Sequence, residues 1–558
     1  MKNTYYISVK RLLLLSFITL LAVVSNPTVL KAQSSQGTDF WIAFPKNIYQ
    51  SNPRQLYITA EVNSTVDVNI VNPVFSTTVN IPAGTLATIN LPVAVDINSN
   101  GVVENKGIHI TSDNPVTVYG MSQEAATTDA YLALPVDALG TSYYVMTYVH
   151  TAAPSQMAIV ATEDNTAITI TPTATGGGFT AGVPGNIVLN EGQVFQLRSS
   201  GGGGDYTGSR VVSDKPVSVF GSVECTNIPV GPCCCDFIVQ QMVPTSGWGQ
   251  SFVTVPLATR TGGDIFRIMA QEANTEVTIN GAVVANLAAG AFHEVSLAST
   301  SYNRIVANKP ILVGQYSKSS GADGVTSDPF FTLLPPDEQF LNSYIVSAGT
   351  SNIPINFLNI TSPTANTGNV QVDGATVAAG AWTVIPGTTF SGARVPVANG
   401  VHTVNSVLPI GLMVYGFGSY DSYGYLGGQA FGAVATVTSL TITPKTGSAP
   451  VNTNKCWEAL LLDNFGDPVS GVRVDFNITG PNSASSGFAF TNASGIATFC
   501  YAGPNQGIDT IVAVVGALND TASFTWTDLI SVPLSDWAIY LGILLMLTFV
   551  VIRFRRMI

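Results

Sequence analysis

Most of the chain alternates apolar and polar residues with a period of two, and the alternation breaks at Asn, Asp, Gly and Pro. Thr166-Ala167-Ile168-Thr169-Ile170 and Thr275-Glu276-Val277-Thr278-Ile279 show the pattern. Such alternation turns one face of a strand to a core and the other to water, and the breakers mark tight turns. The pattern predicts an all-β protein. Two apolar runs depart from it, Leu12 to Val24 near the start and Ala538 to Ile552 near the end.

The strands come in repeats. Ser112-Asp113-Asn114-Pro115-Val116-Thr117-Val118-Tyr119-Gly120 returns as Ser213-Asp214-Lys215-Pro216-Val217-Ser218-Val219-Phe220-Gly221. It returns again as Ala307-Asn308-Lys309-Pro310-Ile311-Leu312-Val313-Gly314, and more weakly at Leu408-Pro409-Ile410. The prolines stand 101, 94 and 99 residues apart, which is an internal repeat. A second phrase keeps step: Glu163-Asp164-Asn165-Thr166 matches Glu272-Ala273-Asn274-Thr275, and each leads to a further alternating stretch, Leu189 to Leu197 and Leu287 to Leu297. Seven or eight strands fit in each unit of about 95–100 residues, which predicts tandem β-sandwich-like repeats, about four, over residues 33–436. The alternative is a closed β-propeller with two four-stranded blades per unit.

The ends set the compartment. Lys10 and Arg11 before the first apolar run, and Leu30-Lys31-Ala32 after it, make residues 1–32 a secretory signal peptide cut between Ala32 and Gln33. At the other end, residues 529–558 read as a sorting segment with a transmembrane helix over 537–552. Sixteen residues at 1.5 Å rise span roughly 24 Å, short of a hydrocarbon core of about 30 Å, with Phe554 and snorkelling arginines covering the rest. Arg553, Arg555 and Arg556 form a basic stop that stays in the cytoplasm. The stretch Val532-Pro533-Leu534-Ser535-Asp536-Trp537 resembles exosortase-type C-terminal sorting signals through Pro533, Leu534, Ser535 and Trp537, with one residue fewer between proline and serine. That resemblance implies a Gram-negative exported protein, delivered to the inner membrane by its helix. An exosortase-like processing enzyme would be its partner there. Processing would send the chain on to the cell surface or extracellular matrix; without processing the helix is a plain anchor.

Composition narrows the partners. Only 10% of residues are charged while 46% are hydrophobic, the balance of a folded chain and not of a disordered one. Leaving out the signal peptide and the tail, 15 of the 22 basic residues face 33 of the 34 acidic ones, a net charge near −18. Nucleic acid needs a basic face and is excluded as a partner. The six cysteines fall in two groups, Cys225 with Cys233, Cys234 and Cys235, and Cys456 with Cys500. In an exported chain both groups read as disulfide candidates. Three adjacent cysteines cannot all pair with Cys225, which leaves a free thiol, a vicinal bond or an intermolecular link open. Thiolate zinc binding is the lesser reading, since no histidine lies near.

The opening Gly37-Thr38-Asp39-Phe40-Trp41-Ile42-Ala43-Phe44-Pro45 resembles the N-terminal domain of the IgG Fc-binding protein family. Tyr131-Leu132-Ala133-Leu134-Pro135, Leu139-Gly140-Thr141-Ser142-Tyr143-Tyr144, Asp205-Tyr206-Thr207-Gly208, Gln240-Gln241-Met242-Val243-Pro244 with Trp248-Gly249, and Asp328-Pro329 carry the likeness on to about Phe431. The resemblance implies adhesive recognition of a glycoprotein and no reaction. Phe40, Trp41, Phe44 and Trp248 are expected in the core. From Val437 the pattern changes: Cys456 to Val469, Val472 to Phe476, Thr491 to Phe499 and Gly507 to Ala513 resemble the group-one bacterial Ig-like domain of intimins and invasins. This implies an Ig-like β-sandwich over 437–528, a spacer in such proteins. A Cys456–Cys500 bridge in it would add about 2–4 kcal/mol.

Catalytic signals are sparse. His109, His150, His293 and His402 are scattered on strand-like stretches, and no nucleophile or metalloprotease motif is present. The glycine clusters Gly176 to Gly178 and Gly201 to Gly204 lack the ending of a phosphate-binding loop and read as surface loops. A glycosidase needs only two carboxylates, and Asp264, Glu272, Asp323 and Asp328 are the acids for such a pair. No enzyme activity and no cofactor are expected; calcium would suit loop carboxylates, but no motif indicates it. The expectation is an exported adhesin or matrix-interaction protein that takes a host or matrix glycoprotein or polysaccharide. A structural matrix component without a specific ligand and a carbohydrate-acting enzyme are the alternatives.

Overall fold

The computed structural model describes residues 34–349, 352–431, 437–463, 468, 472–492, 494–515, 518–528 and 536–555. Ala32 and Gln33, the sorting residues Val532, Pro533, Leu534 and Ser535, and Arg556 lie outside the described residues. The chain divides into two units, Met1–Val434 and Ala435–Ile558.

The first unit holds four curled sheets of seven, eight, seven and eight strands. Each is wound on one long strand: Ile108–Ser122, Arg210–Thr226, Asn303–Tyr316 and Gly400–Gly418. In the first repeat the early half of the long strand pairs with Gly37–Ile42 and Ser64–Ile70, and the late half with Gln55–Ala60 and Asp129–Leu132. The other three repeats pair in the same way. One continuous strand therefore serves both faces of a curled sheet, so the two separate four-stranded blades per repeat do not form.

The recurrent proline phrase makes the bend. Gly37 pairs with Val116 while Asp39 pairs with Thr111, so the residues between are an excess on the long strand. Such a bulge twists a strand, and proline fits where the ladder needs no N–H. Ser112 Oγ donates to the Asn114 carbonyl (2.6 Å), and Asp113 Oδ1 accepts the Thr65 N–H (2.8 Å). Ser213 and Asp214 repeat both bonds with Lys215 (2.6 Å) and Ala167 (2.8 Å); Asn308 accepts from Glu276 (2.9 Å). The second phrase is a turn in which Asn165 and Asn274 take positive φ, 54° and 59°, a conformation asparagine tolerates.

The last strands of the four repeats, Asp129–Leu132, Asp236–Gln241, Phe331–Leu334 and Asp421–Leu426, are buried along their whole length. Each lies beside the next, and the fourth lies beside the first. Asp129 joins them. Its carboxyl accepts the N–H of Ala130 (2.9 Å), Val239 (3.0 Å), Gly424 (3.1 Å) and Phe331 (3.4 Å), one from each repeat. Gln240 Nε2 ties the same strands through the carbonyls of Ala130 (2.8 Å) and Phe331 (2.7 Å). The two ends of the region meet as well: Ser35 N donates to Gln429 O (2.8 Å), and Gln429 N donates to Ser35 Oγ (3.1 Å).

The second unit has a three-stranded sheet of Val437–Thr443, Asn454–Asp463 and Ile496–Ala502. Its five-stranded sheet comprises Thr446–Pro450, Leu518–Thr527, Gly507–Val515, Arg473–Thr479 and Gly487–Phe490. Trp457, Trp526, Phe476 and Ile511 fill its core. Asp509, fully buried, accepts from Tyr501 OH (2.9 Å), Trp526 Nε1 (2.8 Å) and Asn482 Nδ2 (2.8 Å), so those three side chains keep their polar groups satisfied inside the core. Cys456 and Cys500 are bonded as facing residues of neighbouring strands on the exposed side of the smaller sheet. The apolar tail is a helix, Asp536–Arg555, of 20 residues. It begins at Asp536 and includes Arg553 and Arg555, longer than the sixteen residues expected. At 1.5 Å per residue it reaches roughly 30 Å, enough to cross a bilayer core.

Replacing Asp129 by Ala strands four buried N–H groups in four different strands. The expected cost is on the order of 3 kcal/mol or more, seen as a lower thermal midpoint of the repeat region.

Candidate functional site

The residues singled out for chemistry disperse into separate structural roles. His109 bonds Asp39 (2.9 Å) and stacks on Trp41 with centroids 4.1 Å apart; His150 bonds Ser199 (3.1 Å); His402 bonds Asp373 (2.7 Å) and the Ala398 carbonyl (2.8 Å). His293 sits half-buried on a strand opposite Ile268. Phe40, Trp41, Phe44 and Trp248 are buried. Gly201 to Gly204 line an open groove of about 490 Å³ with Thr173, Thr175 and Asp205. Asp205 is held there by Arg267 (2.8 Å), which also pairs with Glu294 (2.9 Å) and lies over the Tyr148 ring (4.1 Å).

Of the four acids, Asp264 and Asp323 come near one another and the other two do not join them. Asp264 accepts from Leu257 N (2.9 Å) and Gln315 Nε2 (2.8 Å), and burial pushes its carboxyl up to about 6. Asp323 pairs with Arg260 (3.1 Å) and accepts the Thr261 N–H (2.9 Å). Both are buried, and both fasten loops. Glu272 is exposed beside Lys309.

Asp328 belongs to a different cluster. Residues Val116, Val217, Ile311 and Ile410 occupy one register position, opposite Gly37, Gly140, Gly249 and Leu341. Four residues further on, Gly120, Gly221, Gln315 and Val414 pair with Tyr131, Gln240, Thr332 and Tyr425 of the central strands. Counting back four from those partners reaches Thr127, Asp236, Asp328 and Asp421. Three repeats thus place a carboxyl at the same entrance to the central strands, the first repeat places a threonine, and Asp129 stands two residues deeper.

Burial decides how these carboxyls behave. Asp236, Asp328 and Asp421 are 0%, 2% and 2% exposed, and each keeps one oxygen, Oδ2, Oδ1 and Oδ1 respectively, without a protein hydrogen-bond partner. Burial, then Asp421, pushes the Asp328 carboxyl up to about 7; burial pushes Asp421 up to about 7. Asp236 is raised well above the carboxylate range by burial and then by Asp421 and Asp328, and Asp129 is raised by burial against its four backbone donors. No basic side chain is among the main influences on any of the four. Among the described residues no three His, Cys, Asp or Glu side chains are spaced to hold a metal ion together. The arrangement retains protons near neutral pH. Sequence reasoning reached Asp328 but missed Asp129, Asp236 and Asp421; an acid opening the strand after the first, second and fourth proline phrases is the signal that would have found all three.

A carboxyl whose pKa is raised on folding favours the native state at low pH. That contribution is complete below the unfolded value, near 4, and is lost as pH rises through about 7 for Asp328 and Asp421. Thermal unfolding of the repeat region is expected to show falling stability from pH 5 to pH 8. Asp421→Asn should flatten that slope and stabilise the protein at pH 8 by on the order of 1–2 kcal/mol. Identical slopes for the variant and the parent would contradict the assignment.

Comparison with known proteins gives the family. The model of the family described as IgGFc binding protein matches residues 129–416, beginning at the aspartate on which the four central strands converge. The human protein called IgGFc-binding protein is 26% identical over 424 residues, 73% of this chain, and the chain spans 8% of that protein's length. Among solved structures, the D0-D1 domain of intimin aligns with 33% of this chain and 89% of its own at 13% identity and a TM-score of 0.14. Sidekick-1 immunoglobulin domains 1–5 align with 89% and 99% at 9% identity and 0.15. With more than half of its residues matched by the family model, the chain belongs to the IgGFc-binding protein family.

Proposed function

We propose that the protein is an exported, membrane-tethered display protein whose repeat region binds a glycoprotein or polysaccharide at the cell surface or in the surrounding matrix. The order of its parts is the observation that carries this reading. A family region named for binding comes first, a separate two-sheet unit follows, and a 20-residue apolar helix ending in arginines comes last. Disulfides at Cys225–Cys235 and Cys456–Cys500 suit an oxidising compartment. The second unit then serves as a spacer of Ig-like type between the binding region and the membrane. The reading makes the protein a binder and not an enzyme; its most perturbed acids, Asp129, Asp236, Asp328 and Asp421, are buried where the central strands meet.

Immunoglobulin is the ligand that the relative's name suggests, and mucin-type glycoprotein and acidic or neutral polysaccharide are the other classes of probe. Cells displaying the full chain should retain at least one of these probes saturably, with half-saturation at micromolar concentration or below, where cells without the chain do not. If none is retained while loss of the chain weakens the extracellular matrix, a structural matrix role replaces the binding role.

A further inference from the structure

Four cysteines, Cys225, Cys233, Cys234 and Cys235, fall on the end of the second long strand and its connection to the second central strand. Cys225 and Cys235 are bonded to each other. The remaining two, Cys233 and Cys234, are adjacent in the chain; the first is exposed and the second half-buried. Their sulfur atoms stand 2.6 Å apart. Non-bonded heavy atoms come to rest at about 3.5–4.0 Å, and a covalent S–S bond measures about 2.05 Å, so the pair is much nearer to bonding than to contact.

The pair is also held in place. Gly321 N donates to the Cys233 carbonyl (2.7 Å), Ser319 N donates to Ile228 O (2.7 Å), and Ile228 N donates to Ser319 Oγ (2.9 Å). These bonds fix the connection against the third repeat around the turn Ser320–Asp323. With Cys225 already committed to Cys235, neither free sulfur has a closer protein partner than its neighbour.

We propose that Cys233 and Cys234 are joined as a vicinal disulfide in the exported protein, a modification site beside the carboxyl of Asp328. The oxidant is a protein disulfide of the thiol-oxidase class. The Cys233 thiolate attacks one sulfur of that disulfide and displaces the other as a thiolate; the Cys234 sulfur then attacks Cys233 and displaces the second. One S–S bond forms and one breaks, the two cysteine protons pass to the displaced sulfurs, and the oxidant leaves as two thiols. The peptide bond between adjacent residues already holds their Cα atoms about 3.8 Å apart or less, below the usual span of a disulfide, so this bond should open before Cys225–Cys235 under mild reduction.

Mass spectrometry of the full chain, isolated without reductant and alkylated after denaturation, tests this. The peptide containing the four cysteines is expected to carry no alkyl group and to be four hydrogens lighter than its fully reduced form. The double variant Cys233→Ser/Cys234→Ser is expected to be two hydrogens lighter, because it keeps the Cys225–Cys235 bond. A low dose of thiol reductant should expose Cys233 and Cys234 to alkylation first. Alkylation of both without reduction, a peptide linked to a second chain, or a free Cys225 in the double variant would each overturn the proposal.

Discussion

One buried carboxyl organises the repeat region. Asp129 accepts backbone N–H groups from all four central strands, although those strands are separated by roughly a hundred residues of sequence at each step. A buried backbone donor left unpaired costs about 1–3 kcal/mol, so the four donors hold a common partner far more firmly than separate side chains could. Around this point each repeat needs a strand long enough to belong to two faces of its sheet. The proline phrase bends that strand in all four repeats, and in the first three its Asp or Asn closes the neighbouring hairpin. The architecture thus follows from a local device, used four times, and a single central acceptor.

The same burial that makes Asp129 a good acceptor makes its neighbours poor anions. Asp236, Asp328 and Asp421 enter the centre at one register position with no basic residue among their main influences, so protonation near neutral pH is the available way to reduce their mutual repulsion. This couples the interior of the region to the pH outside it. The cysteine-rich connection ends at Asp236, so the thiols of Cys233 and Cys234 stand within three residues of one of these carboxyls in the chain.

Much of the fold was legible in the sequence because it is local. Alternation of period two located the strands, Pro115, Pro216, Pro310 and Pro409 marked the bends, and Asn165 and Asn274 marked equivalent turns. The grouping of Cys225 with Cys233 to Cys235 was visible too, but the choice of Cys235 as partner depends on where the connection folds back. The convergence of Asp129, Asp236, Asp328 and Asp421 was not visible. It arises from pairing across whole repeats, and the connections before Asp236, Asp328 and Asp421 differ in length, so no fixed spacing displays it. Asp264 and Asp323, two of the four acids that residue type offered for a carboxylate pair, hold loops because each found backbone donors or an arginine inside the fold.

Native-state hydrogen exchange of the four central strands tests most directly whether they form one body centred on Asp129. Under increasing denaturant, amides in Asp129–Leu132, Asp236–Gln241, Phe331–Leu334 and Asp421–Leu426 should converge on a single opening free energy and exchange together. Four distinct opening energies, with one repeat exchanging while its neighbours stay protected, would show independent modules and contradict the account.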